Sequence, residues 1–304
     1  MHAAMFSHLA GGRHVIASRA LFGSLSLYPR QLSAARFWTS GRLCGGTDPT
    51  HGQQRVRPEN QVFFMGRRRR RLRSRIFRRC RGRLPCGGSV LVVDNGFATP
   101  VFNAPRAGAA DVVMYSTTKH IDGQGRCLGG ALLGSKDYIG GKLLEFMKHT
   151  GGAMSPFNAW VMLKGLETLD LRCRAAADSA AQIAEAVAGH GAIKRAIYPG
   201  RPDHPQHNLA AAQMELPGTM VSFELQGGKA AAFKFMNALK IVRISNNLGD
   251  AKSIATHPTT TTHQRMTEDD RQALGITPGL IRLSVGLEHA DDLIADITRA
   301  LDTA

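Results

Sequence analysis

The chain has 304 residues, 43% of them hydrophobic, enough for two globular domains with buried cores, and no apolar run is long enough to span a bilayer. The formal charge is +16, but residues 67–83 hold eleven arginines and no acid, so the excess belongs to one segment and not to the fold. Five scattered cysteines (Cys44, Cys80, Cys86, Cys127 and Cys173) are odd in number and argue against a disulfide framework, and the Cys80/Cys86 spacing is not that of a zinc knuckle, so a reducing, cytoplasmic setting without a metal is expected.

Residues 1–47 contain no Asp or Glu, a composition shared with mitochondrial transit peptides. Their periodicity instead predicts a short helix over Ala3–Leu9, a turn at Gly11-Gly12 and a strand over His14–Ala17. Residues 24–47 have no clear period. Gln61–Met65 reads as a buried strand that runs straight into the arginine block. Such a block is ordinarily solvated, and as a functional element it would bind phosphate backbones without sequence preference.

From Ser89 onward the pattern is regular. Val90–Val93 is a short apolar run ending in Asp94, as expected of a parallel strand buried on both faces, and Asp111–Tyr115 repeats it. Ser155-Pro156 reads as the N-cap and first turn of one long helix, through Trp160, Leu163 and Leu166, past Ala175, and ended by Gly189–Gly191. Met220–Leu225 alternates like a half-buried strand, Ala230–Leu239 reads as a helix and Ile281–Gly286 as another strand. Asp291–Leu301 closes the chain, with Leu293, Ile294, Ile297 and Leu301 on one helical face. Alternating strands and helices place the chain in the α/β class with a smaller α+β tail domain.

Three features carry chemistry. Lys119 is the first lysine of the chain and follows the hydroxyl-bearing Ser116-Thr117-Thr118 at the end of an apolar strand, before the glycine-rich Asp122–Gly130. A lysine so placed suits a Schiff base with a carbonyl cofactor, with the hydroxyls holding a phosphate. Asp94 ends the preceding strand, where ligands of open α/β sheets sit, and could pair with a protonated pyridine nitrogen; capping of the next turn is the plainer alternative. Arg282 lies inside an apolar strand and needs an anion, either an internal carboxylate or that of a substrate. A rival pattern, Ser116-x-x-Lys119 with Ser245-Asn246-Asn247 and Lys148-His149-Thr150-Gly151, resembles the penicillin-binding serine acyltransferases. Its motif order is wrong, and its serine closes a strand where it should open a helix. His204, His207, His257 and His263 lie in Pro/Thr-rich loops with no third ligand beside them, so they read as loop residues and not as metal ligands.

Val92–Pro100 and Asp111–Gly130, taken together, resemble the Cys/Met-metabolism family of fold-type I pyridoxal phosphate (PLP) enzymes. Ile121–Gly130, Ser155–Trp160, Ile244–Asp250 and Thr260–Arg265 point to its sulfhydrylase branch. The likeness covers essentially all of 89–304 and islands at 3–23 and 48–64. It implies an aspartate aminotransferase-like PLP-binding large domain over 1–170, N-terminally incomplete and atypical at 24–47 and 66–88, followed by an α+β domain over 171–304. By resemblance, Lys119 would carry the cofactor and shuttle protons, Asp94 would meet its pyridine nitrogen, Ser116 and Thr118 its phosphate, and Phe22 would stack on its ring. Arg282 would hold the substrate α-carboxylate, and Asn247 would line the reactive side. The implied reaction is γ-replacement of succinate by sulfide on O-succinylhomoserine, giving homocysteine for methionine biosynthesis. Cystathionine γ-synthase or γ-lyase chemistry is the near alternative, and a remnant unable to hold PLP the non-enzymatic one. The resemblance also implies a homodimer or homotetramer, a small amino-acid substrate, and no membrane or nucleic-acid partner. The resemblance implies an N-terminal arm carrying a tyrosine and an arginine, which this sequence is expected to lack. The likeness stops over about 24–47 and 66–88 and returns after each, the pattern that out-of-frame translation leaves, so resequencing of the DNA is expected to find shifted frames there.

Overall fold

In the computed structural model the described residues are 3–4, 7, 14–18, 41–44, 60–66, 90–103 and 110–304. The arginine block, Cys80, Cys86 and Phe22 lie outside them, as do the Gly11-Gly12 turn and most of the Ala3–Leu9 helix, of which Ala3 and Ala4 are helical. The chain forms two compact units. The first comprises Met1–Gly96, Ala104–Thr117 and Gly129–Ala159, and the second Phe97–Asn103, Thr118–Leu128 and Trp160–Ala304.

The first unit contains six strands: β1 (His14–Ser18), β2 (Gly41–Cys44), β3 (Asn60–Gly66), β4 (Val90–Asp94), β5 (Val112–Ser116) and β6 (Gly130–Gly134). Their order in the sheet is β2-β1-β3-β4-β5-β6; all neighbours are parallel except β5 and β6. The expected strands at 14–17, 61–65, 90–93 and 111–115 are all present. β2 is a finding, because residues 24–47 offer no period to read. Val90, Leu91, Val92 and Val93 are all buried, which explains why this interior strand shows an unbroken apolar run in place of alternation. Asp94 stands opposite Met114 in the register, two residues before Ser116 ends β5, so both polar residues lie at the carboxyl ends of adjacent parallel strands.

The second unit contains β7 (Ile193–Ile197), β8 (Met220–Leu225), β9 (Arg243–Ile244), β10 (Ile254–Thr256) and β11 (Leu280–Ser284), ordered β7-β8-β11-β10-β9 and antiparallel except for β9 and β10. Its core joins Val221, Phe223 and Leu225 of β8 and Ile281 and Leu283 of β11 to helical Ile183, Val187, Phe235, Leu293 and Ile297. Phe223 and Phe235 meet edge to face at 5.4 Å. The final helix, Ala290–Leu301, buries Leu293, Ile297 and Leu301 as its stripe predicts.

The long helix expected after Ser155 is two helices, Pro156–Glu167 and Leu169–Ala188. Ser155 caps the first by accepting from Asn158 N at 3.2 Å. Thr168, at φ −113° and ψ 7°, interrupts the spiral with neither proline nor glycine to announce it. The freed Gly165 carbonyl accepts from Arg172 Nη2 at 2.7 Å, so the break costs no unsatisfied acceptor there. Trp160, Leu163 and Leu166, which marked the helix in the sequence, are exposed; Val161, Met162 and Gly165 are its buried residues. No described helix is long and apolar enough to cross a membrane.

Candidate active site

Lys119 sits in the turn that follows β5, in the second unit. Its Nζ donates to Asn247 Oδ1 at 2.5 Å. Burial, and then the positive charge of Arg282, hold the amine below its ordinary pKa of 10.5. Loss of hydration disfavours the ammonium, and a neighbouring cation disfavours it further, so the neutral, nucleophilic amine is populated at lower pH than in a solvated lysine.

Asn247 is held by that same arginine. Arg282, 8% exposed in the middle of β11, donates from Nη2 to the carbonyls of Asn246 at 3.2 Å and Asn247 at 3.0 Å and to Thr256 Oγ1 at 3.2 Å. Thr256 Oγ1 in turn donates to the carbonyl of Ser245. None of these partners is a carboxylate, so the internal salt bridge considered from the sequence is not formed among the described residues. Glu224, the buried acid of neighbouring β8, pairs with Lys194 and Arg195 instead. Burial lowers the guanidinium to about 10, which leaves it charged at neutral pH, and its Nε is buried without a partner. A buried cation with an orphaned donor is strongly disfavoured unless an anion arrives.

The backbone around Lys119 is closely packed. The Lys119 carbonyl accepts from Gly123 N at 2.8 Å, and Gly123 O from Ala251 N at 2.7 Å. Fully buried Asp122 holds the glycine-rich loop by accepting from Arg126 N at 2.6 Å and Arg126 Nε at 2.8 Å. Buried His120 meets Thr219 Oγ1 through Nε2 at 2.9 Å. Arg172, which nothing in the sequence singled out, reaches this loop from the helix Leu169–Ala188; a lone arginine on an amphipathic helix reads as a solvated residue.

In the first unit Asp94 is half-buried at the end of β4, and its Oδ1 accepts from Gly96 N at 2.9 Å, the turn-capping contact anticipated for it. Ser116 is half-buried at the end of β5. It therefore closes a strand and does not open a helix, and residues 117–122 form a turn, which removes the acyltransferase pattern. His257 uses both ring nitrogens on Thr260 Oγ1 and the Pro278 carbonyl, each at 2.8 Å, and His263 meets Thr262 at 2.8 Å. Among the described residues no group of three metal-ligating side chains converges.

An α/β chain with an amine held below its usual pKa after a sheet strand, beside a buried cation with an orphaned donor, has the parts of an enzyme that uses a carbonyl cofactor on amino-acid substrates. The Cys/Met metabolism PLP-dependent enzyme family profile matches residues 1–302, and the chain belongs to that family. It is 43% identical over 298 residues to the O-succinylhomoserine sulfhydrylase of Mycobacterium tuberculosis, across 96% of this chain and 73% of that protein. It is 33% identical over 295 residues to the L-methionine gamma-lyase of Porphyromonas gingivalis, across 96% of this chain and 74% of that one. Among solved structures, the cystathionine gamma synthase of Xanthomonas oryzae pv. oryzae superposes with a TM-score of 0.91 at 31% identity, covering 99% of this chain and 78% of that one. The protein is thus a PLP-dependent enzyme of Cys/Met metabolism with the fold-type I architecture expected from its motifs.

Proposed function

We propose that the chain carries out γ-replacement on O-succinylhomoserine, exchanging succinate for sulfide to yield homocysteine. The observation that carries this reading is the pairing of Lys119 with Asn247 beside Arg282, whose buried Nε lacks a partner. The residues present fit PLP: Lys119 is an amine lowered by burial and by Arg282, as covalent capture of an aldehyde requires. When bound, the cofactor supplies an electron sink that makes a proton on the substrate's α-carbon acidic.

Each residue then has a distinct task. Lys119 would hold the cofactor, and its free amine would take the α-proton and next a β-proton. Its lowered pKa suits both directions of transfer. Asn247 Oδ1 receives the Lys119 N–H between transfers and so keeps the amine aimed. Arg282 takes the substrate α-carboxylate on its orphaned edge, which answers the desolvated charge. By the family resemblance, Asp94 would pair with the pyridine nitrogen and Ser116 and Thr118 would hold the phosphate; Phe22, expected to stack on the ring, lies outside the described residues. Succinate departs with the Cγ–O bonding pair, the sulfide sulfur forms the new bond at Cγ, and Lys119 returns the protons. Replacement by cysteine, and elimination with water, would use the same proton shuttle; the M. tuberculosis relative's name favours sulfide. A cytoplasmic homodimer or homotetramer completes the reading.

The test is the visible spectrum of the protein mixed with PLP, with Lys119→Ala alongside. A lysine-bound band that borohydride fixes is expected in the parent and absent from the variant, followed by homocysteine release from O-succinylhomoserine and sulfide in preference to cysteine. A folded parent without the band would end this reading.

A further inference from the structure

Arg172 makes four side-chain hydrogen bonds, three of them to backbone carbonyls. Nη1 donates to His120 O at 2.9 Å; Nη2 donates to Ile121 O at 3.3 Å and Gly165 O at 2.7 Å; Nε donates to Thr168 Oγ1 at 3.0 Å. Two of those carbonyls belong to the residues immediately after Lys119. The Lys119 carbonyl itself is taken by Gly123 N at 2.8 Å. One guanidinium therefore fixes two of the peptide planes that follow the lysine, and it ties them to the break between the helices Pro156–Glu167 and Leu169–Ala188.

The surroundings leave room for little else. Gly123 has φ +68°, and a Cβ there would fall 2.0 Å from Arg172 Nη1. At Gly165 a Cβ would fall 2.1 Å from Ile121 O, and at Gly249, with φ +72°, one would fall 2.7 Å from His120 N. Three glycines thus admit the arginine and the loop at backbone contact. A surface cation would need no such accommodation, and an arginine serving only as an end-cap would need the Gly165 carbonyl alone.

We infer that Arg172 is a positioning residue for Lys119: its guanidinium sets the direction in which the lysine's Cα–Cβ bond leaves the loop. It touches neither Lys119 Nζ nor the reacting atoms and acts through the backbone. The planar fork is essential, because an ammonium cannot reach two loop carbonyls, the helix-end carbonyl and a hydroxyl at once. A small misdirection of the lysine's stem would be amplified at its amine and would slow any reaction that needs an aligned nucleophile. The inference rests on the reading of Lys119 as the covalent lysine.

The experiment measures how fast PLP becomes borohydride-fixable on Lys119, by peptide mapping, in the parent, Arg172→Ala and Arg172→Lys, with the unfolding temperature of each. Both folded variants are expected to load at least about tenfold more slowly. Free guanidinium, but not ammonium at equal ionic strength, is expected to restore part of the rate in Arg172→Ala. Hydrogen exchange is expected to quicken over residues 119–123 and not across the β7–β11 sheet. Folded variants that load at the parental rate would overturn the inference while leaving the role of Lys119 intact. A loss that guanidinium does not relieve, matched by a general fall in unfolding temperature, would assign Arg172 to stability alone and overturn it too. If Arg172→Ala does not fold, Arg172→Lys decides by the same criteria. A parent that never carries PLP on Lys119 would overturn both readings.

Discussion

At the scale of single residues, the proposed chemistry turns on one arginine inside an apolar strand. Arg282 lowers the Lys119 amine through its charge, seats Asn247 through two carbonyls, and keeps a buried Nε unpartnered. Arg282→Met removes the cation, so the Lys119 amine is expected to move up toward 10.5. The pH at which Lys119 becomes half-reactive toward an aldehyde should then rise, with less neutral amine at any pH below that point. Titrating the rate of borohydride-fixable labelling in the parent and the variant checks this, and an unchanged midpoint would show that burial alone lowers the amine.

Among the elements, the segment before Asn247 is set by the final helix. Asp296, 5% exposed on Ala290–Leu301, accepts from Lys240 N at 2.9 Å, Ile241 N at 2.9 Å and Val242 N at 3.2 Å, and also from Arg299. Burial pushes its carboxyl up, but the three backbone donors and Arg299 outweigh it, and the group lies below the ordinary carboxylate range. This carboxylate holds residues 240–242 where β9 begins, one strand before the Ser245–Asn247 loop. Asp296→Asn is expected to cost about 2 kcal/mol at pH 7, since bonds to a charged acceptor are replaced by weaker ones. A depressed folded pKa contributes stability above the unfolded carboxylate value of about 3.9, and that contribution is lost as pH falls through the folded value. Urea unfolding should therefore show a wide gap between parent and variant at pH 7 that narrows as pH falls below the ordinary carboxylate value.

For the whole molecule, cofactor and fold are thermodynamically linked. PLP that binds only the folded chain should stabilise it by about 2.7 kcal/mol at a hundredfold excess over its Kd. A rise in unfolding temperature with PLP is expected, a smaller one with pyridoxal lacking the phosphate, and a smaller one with PLP in Lys119→Ala. Equal shifts from PLP and pyridoxal would remove the phosphate role given to Ser116 and Thr118.

Much of this protein was legible from local pattern. Val90–Val93 announced itself because an interior parallel strand buries both faces; the apolar run at 111–115 marked β5, which lies one residue later and leaves Val113 half-buried. Arg282 stood out because an arginine is rare inside an apolar strand, and Lys119 because it follows an apolar strand and a run of hydroxyls. The stripe of the last helix showed what it would bury. What the sequence could not contain was who meets whom. Thr168 interrupts a helix although no propensity forbids its continuation, and Trp160, through which the long helix was traced, lies exposed. Arg172, Asn247 and Asp296 have polar side chains with partners 51 to 52, 128 and 54 to 56 residues away. Periodicity reports only how a residue relates to neighbours within a few turns. Hydrogen bonds across such separations exist only once packing has brought the elements together, so the residues that aim the lysine were decided by the tertiary structure.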